Sequence, residues 1–158
     1  MTLQWHRFCR ELSEKWEEAA AKKGIRWESN VPPDLREVRS DARLLRLVLD
    51  NLIDNAVKFT AEGGHIEFNC RRVASELIIE VADSGCGIPK EDQERVFERF
   101  YQVTSARTGT GSLHTEMRGT GLGLAIVRHA VGAMRGRVKL ESEPGVGTRV
   151  TVIVPQPE

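Results

Sequence analysis

Two amides and a cation share one helical stripe in the stretch NLIDNAVKF, where Asn51, Asn55 and Lys58 stand at i, i+4 and i+7. Asparagine is a weak helix former, because its amide competes for backbone hydrogen bonds, so two of them one turn apart ask for a role. Their carbonyl oxygens suit a hard cation such as Mg²⁺, and the lysine ammonium suits phosphate. The alternative is that the three merely fringe a buried helix, since aliphatic residues fill the adjoining arc.

A second group follows an apolar run. In LIIEVADSGCGIP, Asp83 ends a strand, and Gly85 and Gly87 permit a sharp backbone path behind it. A carboxylate held there can accept a hydrogen bond from an exocyclic amine, although a simple Asp-Gly turn has the same residues. A third group, RGTGLGLAIV, sets Gly119, Gly121 and Gly123 at the start of an apolar helix. Backbone amides there can approach an anion at the positive end of the helix dipole, while close helix packing is the competing use. Neither GTGLGL nor GCGIPK completes a dinucleotide fingerprint, because Leu124 and Lys90 stand where its last glycine belongs. No glycine is followed by lysine, which excludes a Walker A loop.

The elements that must position these groups are legible from periodicity. Leu3 to Lys23 is a charged amphipathic helix ended by Gly24, GIRWESN a short strand, and VPPD a break. Asp41 caps the next helix, whose Leu45, Val48, Leu49, Leu52, Ile53 and Ala56 follow helical spacing. HIEFNC, ELIIEVAD, RVKLES and TRVTVIVP read as strands, with a short helix at Asp92 to Phe97 and another from Gly121 to Met134. Between these helices runs a polar stretch, Gln102 to Arg118. Strands and helices mix without strict alternation, which predicts an α+β sandwich.

Bulk properties narrow the classes. A chain of 158 residues, 40% hydrophobic and 29% charged, suits one globular domain. Lys plus Arg and Asp plus Glu both number 23, so no global basic field draws it to nucleic acid or an anionic membrane. Three cysteines, Cys9, Cys70 and Cys86, show no C-x-x-C spacing, which argues against a disulfide framework or zinc site and for a reducing, cytosolic setting. No run is long enough to span a membrane, and the N-terminus lacks a signal-peptide core.

Taken together, NLIDNAVKF resembles the N box, DSGCGIP the first glycine box, VFERF the F box, GTGLGLAIV the second glycine box and GVGT the last, in the order found in bacterial sensor histidine kinases. The resemblance covers about residues 25 to 154. It implies the ATP-binding superfamily shared with DNA gyrase, the ninety-kilodalton heat-shock chaperone and mismatch-repair ATPases. The implied fold is the Bergerat two-layer α/β sandwich, a mixed sheet on three helices. By the same likeness Asn55 ligates Mg²⁺ with Asn51 nearby, Lys58 touches phosphate, and Phe59 lies beside the adenine. Asp83 binds the adenine amino group, helped by Thr148 through water, with Gly85, Gly87 and Ile88 in the same loop. Gly119, Thr120, Gly121, Leu122, Gly123 and Leu124 wrap the phosphates of ATP, Gln102 to Arg118 forms the lid, and Arg107 or Arg118 reaches the γ-phosphate.

The implied activity is transfer of the γ-phosphoryl group to a histidine on a separate dimerisation domain, with a response regulator as the indirect partner. Residues 1–24 then form an N-terminal helix that connects to that domain, and 25–158 the catalytic unit. Phe97 and Phe100 are either core aromatics or a docking patch for the dimerisation helices. The isolated domain is expected to be monomeric and cytoplasmic, on a parent that can be anchored in the inner membrane. Two departures stand out. His6, His65, His114 and His129 are followed by Arg, Ile, Thr and Ala, whereas the family's acceptor histidine usually precedes an acidic residue. Gln102 follows Phe100-Tyr101 where many members carry arginine. An ATPase switch and a nucleotide sensor therefore stay as alternatives, although hydrolytic relatives typically have Glu where Asn51 stands, and an amide cannot take a proton from water. Cys86 reads as a small filler in its loop, with alkylation sensitivity if it is exposed.

Overall fold

A computed structural model describes residues 2–98 and 123–157. Its elements are β1 (Thr2–Gln4), α1 (Trp5–Lys23), β2 (Arg26–Asn30), β3 (Glu37–Arg39), α2 (Ala42–Phe59), β4 (His65–Val73), β5 (Glu76–Asp83), α3 (Lys90–Gln93), α4 (Gly123–Ala133), β6 (Arg137–Glu143) and β7 (Gly147–Pro155). A five-stranded sheet runs β2-β4-β5-β7-β6. Only the β2–β4 pair is parallel among the described strands; the other three pairings are antiparallel.

Pleat alternation decides which face is covered. Ile66, Phe68 and Cys70 of β4, Leu77, Ile79 and Val81 of β5, and Val150, Val152 and Val154 of β7 are all buried. Against them lie Leu12 and Trp16 of α1, Leu45, Leu49 and Ile53 of α2, and Val127, Ala130 and Val131 of α4, in one hydrophobic core. The resemblance implies a mixed sheet on three helices, and the three found are α1, α2 and α4, so that the first helix packs into the core with the rest. The helix ends are equally local in cause. Asp41 Oδ1 accepts the backbone N–H groups of Arg43 and Leu44 at 2.9 and 3.1 Å, and Gly24 ends α1 at φ 78°.

Three helix boundaries differ from expectation. The first helix starts at Trp5 because Thr2–Gln4 pair antiparallel with Glu37–Arg39, a two-stranded ribbon that the break at VPPD conceals. The Gln156 side chain fastens this ribbon to the chain's other end, accepting Arg39 N–H at 2.8 Å and donating to Arg39 O at 3.0 Å. The short helix falls at Lys90–Gln93, not Asp92 to Phe97, because the turn opens at Pro89, whose carbonyl accepts Asp92 N–H at 2.9 Å. The last helix is described from Gly123 and ends at Ala133; Gly121 and Leu122 lie outside the described residues.

Candidate functional site

The last three turns of α2 carry the amide stripe. Asn51, Asn55 and Lys58 are all half-buried, beside the core rather than in open solvent. Asn51 Nδ2 donates to Leu47 O one turn back at 2.7 Å, which leaves its carbonyl oxygen as the outward-looking atom. That oxygen faces the head of α4. A Cβ placed on Gly123 would stand 3.4 Å from Asn51 Oδ1 and 3.5 and 3.6 Å from the amide atoms of Asn55. The first described turn of α4 is therefore a neighbour of two amide oxygens, an arrangement suited to an anion bound together with a hard cation.

The donor set can be tested against Mg²⁺. Among the described residues no group of three or more His, Cys, Asp or Glu could hold a metal. Amide oxygens alone make a sparse site, which fits an ion that takes few protein ligands and completes its shell with phosphate and water. Lys58 is occupied locally: its Nζ lies 2.9 Å from Asp54 Oδ2, one turn back. A phosphate at this helix would have to draw the ammonium away from that carboxylate.

Asp83 stands at the end of β5, opposite Thr148 of β7. Its Oδ1 accepts Gly85 N–H at 2.8 Å. Burial pushes the Asp83 carboxyl up to about 6, against the backbone hydrogen bonds from Gly85 and Thr148 and the nearby His65, which pull it down. The loop behind it is stitched to α2, since Cys86 N–H donates to Phe59 O at 3.2 Å. Gly85 has to be glycine, because a Cβ there would run into the Phe59 carbonyl. Gly147, at φ 153°, would likewise meet the Asp83 carbonyl. Phe59, Asp83, Gly85 and Thr148 are thus brought together by backbone packing.

Sequence reasoning missed the residue that joins this end. Ser142 Oγ accepts Ile88 N–H at 2.7 Å, contacts Gly147 O at 3.1 Å and lies 2.8 Å from Thr148 Oγ1. A serine in an alternating strand carries no signal of such a duty. Gly87 is buried against Glu143 and Leu124 packs on the core. Thr60, directly after Phe59, is wholly buried with no partner for Oγ1 among the described residues. Phe100, Gln102, Arg107, Arg118, Gly119, Thr120, Gly121 and Leu122 lie outside the described residues.

Residues 40–158 match the family described as histidine kinase-, DNA gyrase B-, and HSP90-like ATPase. The chain is similar to sensor histidine kinase WalK of Bacillus subtilis (strain 168), 43% identical over 131 residues, or 82% of this chain and 20% of that protein. It is also similar to the sensor-like histidine kinase SenX3 of Mycolicibacterium smegmatis, 41% identical over 120 residues, 75% of this chain and 29% of that one. Among solved structures, full-length ShkA in complex with AMPPNP superposes with a TM-score of 0.82 at 30% identity, covering 99% of this chain and 31% of that chain. The chain thus spans less than a third of each of these relatives. Because the family match takes in every element that builds the site, from α2 to β7, the chain belongs to the histidine kinase-, DNA gyrase B- and HSP90-like ATPases, as the ATP-binding catalytic domain of a sensor histidine kinase.

Proposed function

We propose that this chain binds Mg-ATP and donates the γ-phosphoryl group to a histidine on a separate dimerisation domain, from which a response regulator receives it. The observation that supports this most is the meeting of the Asn51 and Asn55 amides with the head of α4 at Gly123. The ShkA structure, which this fold matches, holds AMPPNP.

In this reading Asp83 accepts the adenine amine, Thr148 assists through water, and Phe59, Gly85, Gly87 and Ile88 wall the base. Asn55, with Asn51 beside it, holds Mg²⁺, which supplies charge neutralisation at the phosphates. Lys58 exchanges Asp54 for phosphate, while Gly119 to Leu124 and Arg107 or Arg118 close over the chain of phosphates. What these residues contribute is position: the γ-phosphorus is held in line for the incoming imidazole nitrogen. The bond from γ-phosphorus to its bridging oxygen breaks, a phosphorus–nitrogen bond forms, and ADP leaves. The proton on the imidazole's other nitrogen goes to an acidic neighbour on the other domain; no histidine here is followed by an acidic residue.

Docking has a surface to use. Leu44 and Leu47 of α2, Phe97, and Ile126, His129 and Ala133 of α4 line an apolar groove of about 1040 Å³, and Leu47 is 43% exposed. The dimerisation helices would cover it, with Phe100 as the second aromatic. Among the described residues no helix is long and apolar enough to cross a membrane; the cytoplasmic setting and the anchored parent are part of this proposal.

The deciding experiment mixes this chain, the parent's dimerisation domain and labelled ATP. Acid-labile, base-stable phosphohistidine should appear on the added domain, while the chain alone neither labels itself on histidine nor hydrolyses ATP appreciably. Vigorous hydrolysis without transfer would move the protein to the ATPase class. Binding with neither activity would make it a nucleotide sensor, and Gln102→Arg would then be the first change to try.

A further inference from the structure

Asp50 and Asp54 are the carboxylates of α2, and they are held in different ways. Asp50 is tied to another element: the Trp16 indole N–H of α1 donates to its Oδ1 at 2.8 Å, and Lys15 Nζ lies 3.5 Å from the same oxygen. Asp54 is held within its own helix, its Oδ2 lying 2.9 Å from Lys58 Nζ, and Lys58 is its only ion-pair partner among the described residues. Asp54 also belongs to the amide stripe: at about 100° per residue it falls about 40° from Lys58 and about 60° from Asn51 around the helix axis. The pair is partly open to solvent, with side-chain exposures of 36% for Lys58 and 42% for Asp54. An ion pair so placed is weak, and a triphosphate carries several negative charges to compete for the ammonium.

From this arrangement we infer that Asp54 couples nucleotide binding to the divalent cation, its carboxylate opposing phosphates that arrive without Mg²⁺. The inference rests on the proposed function, in which Lys58 moves to phosphate. Asp50 keeps both of its partners when that happens, whereas Asp54 loses the ammonium and is left as an uncompensated anion on the stripe that receives the phosphates. Like charges so close repel, and positive charge brought with the phosphates removes the repulsion. The other groups of the stripe cannot make this selection. Asn51 and Asn55 are neutral, and Lys58 by itself favours the most negative ligand, which is ATP without its metal. Asp54 reverses that preference through its charge and its hold on Lys58, without touching nucleotide or metal, so it is a positioning residue. The result is a site that takes Mg-ATP in preference to free ATP.

The test is calorimetry of this chain with ATP, in excess EDTA and in saturating MgCl₂, for wild type, Asp54→Asn and Asp54→Glu. Asp54→Asn should tighten binding in EDTA about fivefold, the scale of one unit charge a few ångströms away in water, and should leave binding in MgCl₂ within about twofold. The enhancement by Mg²⁺ then shrinks. Asp54→Glu keeps the charge and should keep the wild-type enhancement. Adenosine, which has no phosphate, should bind all three proteins alike. Equal changes in EDTA and MgCl₂ on Asp54→Asn, or no change in either, would overturn the inference. So would Asp54→Glu behaving as Asp54→Asn does, or adenosine affinity following the charge. Wild-type protein that binds ATP in neither solution would overturn the proposed function itself, and the inference with it.

Discussion

In the proposed reading the site has an adenine end and a phosphate end. At the adenine end, Asp83, Ile88, Gly147 and Thr148 are fixed by contacts between distant parts of the chain: β5 against β7, Ser142 of β6 against the loop, and Phe59 of α2 against Cys86. At the phosphate end the partners are one turn away, with Asn51 bonded to Leu47 O and Lys58 to Asp54. The first region is a rigid receptor whose shape is set by the fold. The second keeps its polar groups on short local tethers that a charged ligand can outcompete, because exposed i,i+4 ion pairs contribute only about 0.3–0.5 kcal/mol. On the proposed function, base recognition is thereby preorganised and the phosphate geometry is completed by the ligand.

That contrast breaks most visibly at Asn55. Asn55→Ala removes a half-buried amide without opening the core, so the fold and the adenine end should persist. Phosphotransfer should fall by roughly a hundredfold or more, as expected when a metal ligand worth several kcal/mol in the transition state is lost. Metal-free adenosine binding should be nearly unchanged. Equal loss of adenosine binding and transfer, measured by calorimetry and labelling, would mean that the two ends are one cooperative unit.

Asp83 probes the other end, with an effect smaller than that of Asn55. Asp83→Asn should weaken nucleotide binding by about 1–3 kcal/mol, the range for a buried charge-assisted hydrogen bond. Its pH dependence has two opposite signs. The folded-state pKa of about 6 lies above the ordinary 3.8, so the contribution of this group to stability is present at low pH and is lost as pH rises through about 6. Nucleotide affinity runs the other way, because the carboxylate is the better acceptor for an amine and is lost as pH falls through about 6. Wild-type protein should therefore melt higher but bind ATP less tightly near pH 5 than near pH 7, and Asp83→Asn should flatten both trends. Parallel trends in melting and affinity would remove Asp83 from the adenine contact.

How much of this was legible in the sequence follows the range of the interactions. The helix bearing Asn51 and Asn55 was readable because its apolar spacing and its Asp41 cap are local. Strands β4 and β5 were readable because one buried face imposes alternation, and β7 because its apolar run is buried without a break from Val150 to Val154. The β1–β3 ribbon was not, since three-residue strands joining Thr2 to Arg39 leave no periodic trace. Ser142 was invisible for a similar reason: its three partners come from β7 and from the loop after β5, and only the folded register brings them to one hydroxyl. Motif order pointed to the two ends of the site, but neither the pairing of Lys58 with Asp54 nor the elevated Asp83 carboxyl follows from motif order.

The smallest expected effect tests whether α1 belongs to either end. Lys23 Nζ, in the last turn of α1, donates to Val57 O at 2.7 Å and Lys58 O at 3.1 Å. These are among the final carbonyls of α2, which have no partner within their own helix, and a cation there also meets the negative end of the helix dipole. Lys23→Met keeps the apolar stem and deletes the charge and its donors. Stability should drop by about 0.5–1 kcal/mol, a few degrees in melting temperature. Nucleotide affinity should barely move, because Phe59 O is held separately by Cys86 N–H and Asp83 Oδ1 by Gly85 N–H. Melting curves with and without Mg-ATP separate the two quantities. An affinity loss approaching that of Asp83→Asn would show that α1 sets the position of the N-box helix, and the rigid region would then have to include the first helix as well.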